Sequence, residues 1–342
     1  MPGGIYSQQL REYMGVQAIG DFRGKSFLIT GATGLLGSAL VDLLLAANDA
    51  LMLGVQVYAM GRSEGHGKER FAAYWGRADF AFLAQDVTLP LSGERHFDYI
   101  IHAAGNSHPQ LLAADPVGTM TGNFLGIYQL LEYARRTKAG RVLYVSSGEV
   151  YGELDKPMKA ENDYGYVDVL NARSGYPNSK RAAETLCVAY SQQYDVDTVM
   201  VRPSHLYGPT MTRQDSHAVA EFLRHAAAGE DIVMRSTGAV VRSYTYVLDA
   251  ASAILMILLR GKRAAAYNVA EDRKCISIRE IAEYLAKLGG VRLVFDLPED
   301  ASKLGYGTIT RQVLDASLIH ALGWECQVDI YQGLEKTLAI LR

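Results

Sequence analysis

The sequence predicts an α/β protein: a doubly wound parallel sheet with a smaller α/β region toward the C-terminus. Three observations carry that class. Short apolar stretches alternate with longer helical patterns up to about residue 203. The strand-like stretches are continuously apolar rather than alternating, which suits strands covered on both faces. A glycine-rich turn, "GATGLLG" at 31–37, lies between the first such stretch and the first helical one.

The elements follow in order. Tyr6, Leu10, Tyr13 and Met14 lie at roughly helical spacing, so residues 5–20 are expected to form a short helix before the main domain. "KSFLIT" is the first strand, "SALVDLLLAAN" a helix and "VQVYAMG" the second strand. "AFLAQDV" and "DYIIHAAG" are the third and fourth strands. "DPVGTMTGNFLGIYQLLEYARRT" is a long helix, "RVLYVSS" the fifth strand, "PNSKRAAETLCVAYSQQY" another helix and "VDTVMVRP" the sixth strand. Beyond residue 203 the pattern loosens. "YVLDAASAILMILLRG" and "AAYNVA" supply one more helix and strand of the sheet. "SIREIAEYLAKLGG", "VRLVFD" and the tail from "ITRQVLDAS" form the smaller appended domain.

Composition excludes several functions. The chain has 342 residues, 49% hydrophobic and 21% charged, with net charge −3. That balance gives no electrostatic reason to expect nucleic-acid or membrane binding. Cys187, Cys275 and Cys326 lie far apart without a C-x-x-C, which argues for a reducing compartment and against a disulfide framework or zinc site. The eight histidines show no H-E-x-x-H or similar spacing, so no structural metal is expected. The start lacks the apolar core of a signal peptide, and the longest apolar run, "AILMILL" at 253–259, is too short to span a bilayer. The expected location is the cytoplasm.

Two motifs carry chemistry. In "GATGLLG", Gly31, Gly34 and Gly37 permit a tight turn and close approach of backbone to a pyrophosphate, which the helix N-terminus then holds. With a first strand before it and a first helix after it, the turn points to dinucleotide binding on a Rossmann-type fold. Asp86 and Val87 end the third strand, at a suitable edge for adenine. The second strand ends in Gly61, Arg62 and Ser63, where an acid usually meets the ribose of NAD. Arg62 suits a 2′-phosphate or adenine stacking, so NAD and NADP both stay open. "YPNSK" places Tyr176 and Lys180 on one helix face at i,i+4. A lysine ammonium beside a phenol favours the phenolate, and a serine of "SSGEVYG" at 146–152 can bond the same substrate oxygen.

Together "GATGLLG", "HAAG", "SSGEVYG", "YPNSK", "RPSHLYGP", "VRSYTYVLD" and "LGW" resemble the extended short-chain dehydrogenase/reductase family, in its nucleotide-sugar epimerase/dehydratase branch. The resemblance runs over nearly the whole chain. It implies that Gly31, Thr33, Gly34, Leu35, Leu36 and Gly37, with Arg62, Asp86, Val87 and "AAG" (Ala103, Ala104, Gly105), bind the cofactor, NAD or NADP. It implies that Tyr176 takes the proton of a sugar hydroxyl, commonly at the 4-position, while Ser147 holds that oxygen and Lys180 orients the nicotinamide ribose. Ser147 is preferred to Ser146 because the family's catalytic Ser/Thr lies four residues before the tyrosine of "VYG". The implied domains are an N-terminal helical extension over 1–23, a cofactor domain over 24–203 rejoined by about 240–270, and a nucleotide-sugar domain over 204–239 and 271–342. The long helices at 115–137 and 177–194 imply a homodimer.

Glu149 narrows the reaction. Family 4-epimerases generally carry a small or uncharged residue there, and 4,6-dehydratases an Asp–Glu pair. This chain has Gly148 in the aspartate's place. UDP-glucuronate decarboxylases resemble it best: they keep "SEVYG" with a lone glutamate, which implies a UDP-linked substrate that is oxidised at C4 and then loses carbon dioxide. The resemblance places Arg242 near the diphosphate and reacting sugar, and makes Arg311 the first arginine of an "RRRPD"-type stretch. The chain departs from the pattern at "RQVLD", which keeps one arginine, and at His205, where an asparagine is common. His102 is expected to be structural and His108 to face the sugar. Glu149 also suits a plain role, capping a loop or pairing with an arginine. The competing functions are a 4-epimerase, an NADPH-dependent keto-sugar reductase, and a non-enzymatic dinucleotide sensor, which the intact Ser147, Tyr176 and Lys180 disfavour.

Overall fold

The computed structural model describes residues 4–15, 19–297 and 311–342. The strands are β1 (Ser26–Thr30), β2 (Gln56–Gly61), β3 (Phe80–Ala84), β4 (Tyr99–His102), β5 (Arg141–Val145), β6 (Asp197–Pro203), β7 (His205–Tyr207), β8 (Ile232–Met234), β9 (Val241–Arg242), β10 (Tyr244–Tyr246), β11 (Ala266–Val269), β12 (Ile276–Ser277), β13 (Leu293–Phe295) and β14 (Arg311–Gln312). The helices are α1 (Ile5–Met14), α2 (Leu35–Leu51), α3 (Glu64–Arg70), α4 (Pro109–Ala114), α5 (Pro116–Thr137), α6 (Gly175–Tyr194), α7 (Ala218–Ala228), α8 (Val247–Arg260), α9 (Ile278–Gly289), α10 (Ser317–His320) and α11 (Ile330–Leu341).

A seven-stranded sheet runs in the order β11-β6-β5-β4-β1-β2-β3, with every pairing parallel. The apolar strands explain the two covered faces. Phe27 and Ile29 of β1 join one core, with residues of α2 and α8, while Leu28 between them joins the other, with residues of α5 and α6. Val199 and Val201 against Met200 repeat the alternation on β6. The strand order reverses between β1 and β4, and ligands of open parallel sheets bind in the crevice beyond such a reversal.

The helix expected over 5–20 is shorter. α1 ends at Met14, residues 16–18 lie outside the described residues, and Ile19–Phe22 forms a 3-10 turn. α1 packs on α2, with the Tyr6 hydroxyl donating to Asp42 Oδ2 at 2.9 Å. The third strand also stops early, at Ala84, because Asp86 Oδ1 accepts from the Thr88 backbone N–H (2.9 Å) and hydroxyl (2.8 Å), turning the chain out of the sheet. Asp115 starts α5 by accepting from the Gly118 N–H at 2.8 Å, one residue ahead of Pro116.

Short elements form the rest. β8 pairs with β13, β7 with β10, and β9 lies between β12 and β14. β10 and β7 are parallel neighbours at the edge of the crevice, so Tyr244 stands opposite His205. No described helix is long and apolar enough to cross a membrane.

Candidate active site

A cavity of about 270 Å³ opens at the strand-order reversal. Of the residues singled out in the sequence, it is lined by Gly31, Gly34, Leu35, Leu36, Gly37, Ala103, Gly105, His108, Ser147, Glu149, Tyr176, Lys180, His205 and Arg242.

The glycine turn is built for close approach. Gly31 has φ of 64°, and a Cβ there would lie 2.6 Å from the Ala103 carbonyl oxygen and the Ala104 nitrogen. A Cβ on Gly37 would strike the Gly31 carbonyl oxygen. β1, β4 and the first turn of α2 thus meet without side chains between them, and the N-terminus of α2 faces the space beyond. That cradle fits a dinucleotide's pyrophosphate. Near it Asn123 donates from Nδ2 to the Ser179 hydroxyl (3.0 Å), leaving its Oδ1 buried without a hydrogen-bond partner among the described residues. Thr33, Ala104, Arg62, Asp86 and Val87 lie outside the cavity lining. Ala104 donates its N–H to Thr30 Oγ1 at 3.4 Å, Val87 packs against the core beside Gly126, and Arg62 is exposed. The Thr88 N–H and hydroxyl, with Arg62 nearby, hold Asp86 below the usual carboxylate range.

Tyr176 and Lys180 share the inner face of α6, and both are buried. Burial, then the Glu149 carboxylate, pushes the Tyr176 phenol well up; the Ser147 hydroxyl and Arg173 pull against them. Lys180 Nζ donates to the Val145 carbonyl at 2.8 Å and lies 5.8 Å from the Tyr176 ring centroid. Burial pushes Lys180 down to about 7, against Glu184. Ser147 and Arg173 are thus the groups that favour the phenolate against burial and Glu149 in this site. Ser146 is buried with its Oγ unpartnered among the described residues, whereas Ser147 Oγ accepts from the Glu149 N–H at 3.1 Å.

Glu149 sits in the short turn after β5 and lines the cavity, and Arg173 holds it in a two-pronged ion pair at 3.2 and 3.1 Å. Both side chains are about one-third exposed, at 34% for Arg173 and 30% for Glu149. The cavity position and the arginine pairing weighed in the sequence therefore both occur. Arg173 was not singled out; its signal was its place three residues before Tyr176.

Arg242 donates from Nη1 to His205 Nε2 at 2.9 Å, and its Nε is buried without a partner among the described residues. Burial, then Arg242 and His217, hold His205 well below the usual histidine range, so it accepts as a neutral ring. Arg311, expected at the substrate, is exposed and donates from Nε to the Pro157 carbonyl at 3.0 Å, outside the cavity lining. The reason is strand alternation: on β14 the neighbouring Gln312 faces inward and lines the cavity instead. His102 is fully buried beside Thr30 Oγ1 (2.7 Å). His108 reaches the cavity, where Asp215 and His217 stand beside it. No local motif announced that group.

The arrangement offers a phenol, a serine and a buried amine at the inner end, one carboxylate beside them, and an arginine with an unused donor opposite. It suits proton transfer at a sugar hydroxyl next to a bound dinucleotide.

Residues 27–270 match the model of the NAD dependent epimerase/dehydratase family. The chain is 30% identical over 311 residues to UDP-glucuronic acid decarboxylase 6 of Arabidopsis thaliana, covering 90% of this chain and 86% of that protein. It is 27% identical over 336 residues to UDP-glucuronic acid decarboxylase 1 of Xenopus tropicalis, covering 97% and 76%. Among solved structures, the dTDP-glucose 4,6-dehydratase DesIV of Streptomyces venezuelae, with NAD bound, superposes with a TM-score of 0.79 at 25% identity, over 92% of this chain and 96% of that one. An epimerase of Methanothermobacter thermautotrophicus, at 21% identity, shares the fold with a TM-score of 0.81 over 97% and 95%. The chain belongs to the NAD dependent epimerase/dehydratase family.

Proposed function

We propose that the chain oxidises a UDP-linked sugar at C4 and then decarboxylates it, with UDP-glucuronate as substrate. The observation that carries this reading is the Glu149 carboxylate lining the cavity with Ser147 and Tyr176, with Gly148 where a second acid would stand. The decarboxylase names of its relatives support it.

Ser147 holds the C4 oxygen and Tyr176 takes its proton. NAD, when bound, would supply the acceptor for the C4 hydride and, once reduced, would return it to C4 of the decarboxylated ketone to give UDP-xylose. The resulting 4-keto acid carries its carboxylate β to the ketone, so the C5–C6 bond breaks to release carbon dioxide, its electron pair passing into the C4 carbonyl as an enolate. Tyr176 and Ser147 stabilise that oxyanion. A proton then returns at C5, and Glu149, reached through its exposed side, carries it. Arg242 offers its unused Nε to an anionic group of the substrate. Lys180 orients the nicotinamide ribose. Gly31, Thr33, Gly34, Leu35, Leu36, Gly37, Ala103, Ala104 and Gly105 hold the cofactor, with Asp86, Val87 and Arg62 at its adenine end. His108 and His205 face the sugar side. The cofactor part comprises 24–203 with about 240–270, and the remainder binds the nucleotide sugar.

Replacing Glu149 with Gln tests the reading. With UDP-glucuronate and NAD, E149Q is expected to reduce bound cofactor while carbon dioxide release falls by about 10²–10⁴. Carbon dioxide release at the native rate would contradict it. The Glu149–Arg173 pair favours a second reading, 4-epimerisation, in which Glu149 only positions Arg173. That reading predicts UDP-galacturonate and no gas.

We also propose a homodimer. Val117, Met120, Phe124 and Tyr128 form an exposed apolar stripe along α5, which packs on α6. The free cysteines Cys187, Cys275 and Cys326 suit the cytoplasm.

A further inference from the structure

We propose that His108, Asp215 and His217 form a zinc-class metal site at the wall of the cavity. The three come from two separate segments. His108 is the residue before α4, while Asp215 and His217 lie in the loop leading into α7. Their ligand atoms all lie within 4.8 Å of one another. Asp215 Oδ1 is 2.7 Å from His217 Nδ1 and 3.4 Å from His108 Nδ1. The same oxygen accepts from the His217 backbone N–H at 2.9 Å.

An ordinary loop turn explains part of this arrangement. Asp215 capping the His217 backbone N–H accounts for the carboxylate and its neighbour. It does not account for His108, whose Nδ1 comes from a segment distant in sequence, is itself buried, and lacks a well-aligned hydrogen bond among the described residues. Two imidazole nitrogens and one carboxylate oxygen within 4.8 Å of one another are a donor set for zinc or a similar transition ion. Magnesium and calcium prefer all-oxygen shells. Zinc–ligand bonds of about 2.0–2.2 Å place tetrahedral ligand atoms roughly 3.3–3.6 Å apart. The 3.4 Å pair already meets that spacing, and the 2.7 Å pair opens when the ion replaces the shared proton. Remaining ligand positions fall to water or to an oxygen entering the cavity.

The charges nearby set the strength. Asp215 is nearly enclosed, with 6% of its side chain exposed. Arg242 and the N-terminal end of α7 oppose a cation. A bound ion joins the loop after β4 to the loop before α7 across the cavity.

The direct test is calorimetric titration of the full chain with zinc chloride, checked by the visible spectrum on adding cobalt(II). His108→Gln and His217→Gln each leave the Asp215 backbone cap in place. His66→Gln removes an exposed histidine on α3 as a control. One ion per chain is expected, with a tetrahedral-type cobalt spectrum. Affinity should fall at least about ten-fold in each of the first two variants and be unchanged in the control. No saturable binding in the native chain, or equal binding by H108Q and H217Q, would overturn the site. Titration with metal alone needs no substrate, so the result stands apart from the decarboxylase reading.

Discussion

Tyr176 and Lys180 sit in a site whose burial works against both of their charged forms. Replacing Tyr176 with Phe removes the proton acceptor and leaves the glycine cradle intact. Turnover is expected to fall by about 10²–10⁴ with NAD affinity unchanged, read by steady-state kinetics and cofactor titration. Unchanged turnover would refute its role. Lys180 yields a prediction about stability. Its folded value, pushed down to about 7, lies below the unfolded lysine's usual value of about 10.4. Between those values the unfolded chain binds more protons, so stability rises with pH. Below about pH 7 the full penalty of the buried ammonium applies. The melting temperature of the cofactor-free chain should therefore climb from about pH 7 to about pH 9, and Lys180→Met should flatten that climb. A parallel climb in the variant would contradict it.

Among the elements, the turn from β1 into α2 depends most directly on residue type. An alanine at Gly37 would collide with the Gly31 carbonyl, part of the rigid backbone. Gly37→Ala is expected to weaken NAD binding at least about ten-fold and to cost roughly 1–3 kcal/mol of stability, by cofactor titration and thermal melting. This turn, the central strands and the helices α5 and α6 were legible because each is a local pattern of apolar period, glycine spacing or an i,i+4 pair. Elements beyond Pro203 were harder. β9, β12 and β14 are two-residue strands whose pairing is set by tertiary contacts, not by their own period. That is why Arg311 was expected in the site when Gln312 faces it. Arg173 and the His108–Asp215–His217 group escaped for a related reason. Their partners lie in distant segments, and local ligand spacing cannot register such a meeting.

For the whole molecule, the sheet gathers one cavity from residues spread between Gly31 and Leu314. The exposed stripe on α5 makes Phe124→Asp a test of assembly. The native chain is expected to run as a dimer in light scattering at micromolar concentration and F124D as a monomer, whereas a monomeric native chain would count against the dimer. The central claim concerns what the cavity does to its substrate. It is tested most directly by a proton NMR time course of the purified chain with UDP-glucuronate and NAD. The account predicts loss of UDP-glucuronate and appearance of UDP-xylose or its 4-keto pentose; UDP-galacturonate as the product, or an unchanged spectrum, would contradict it.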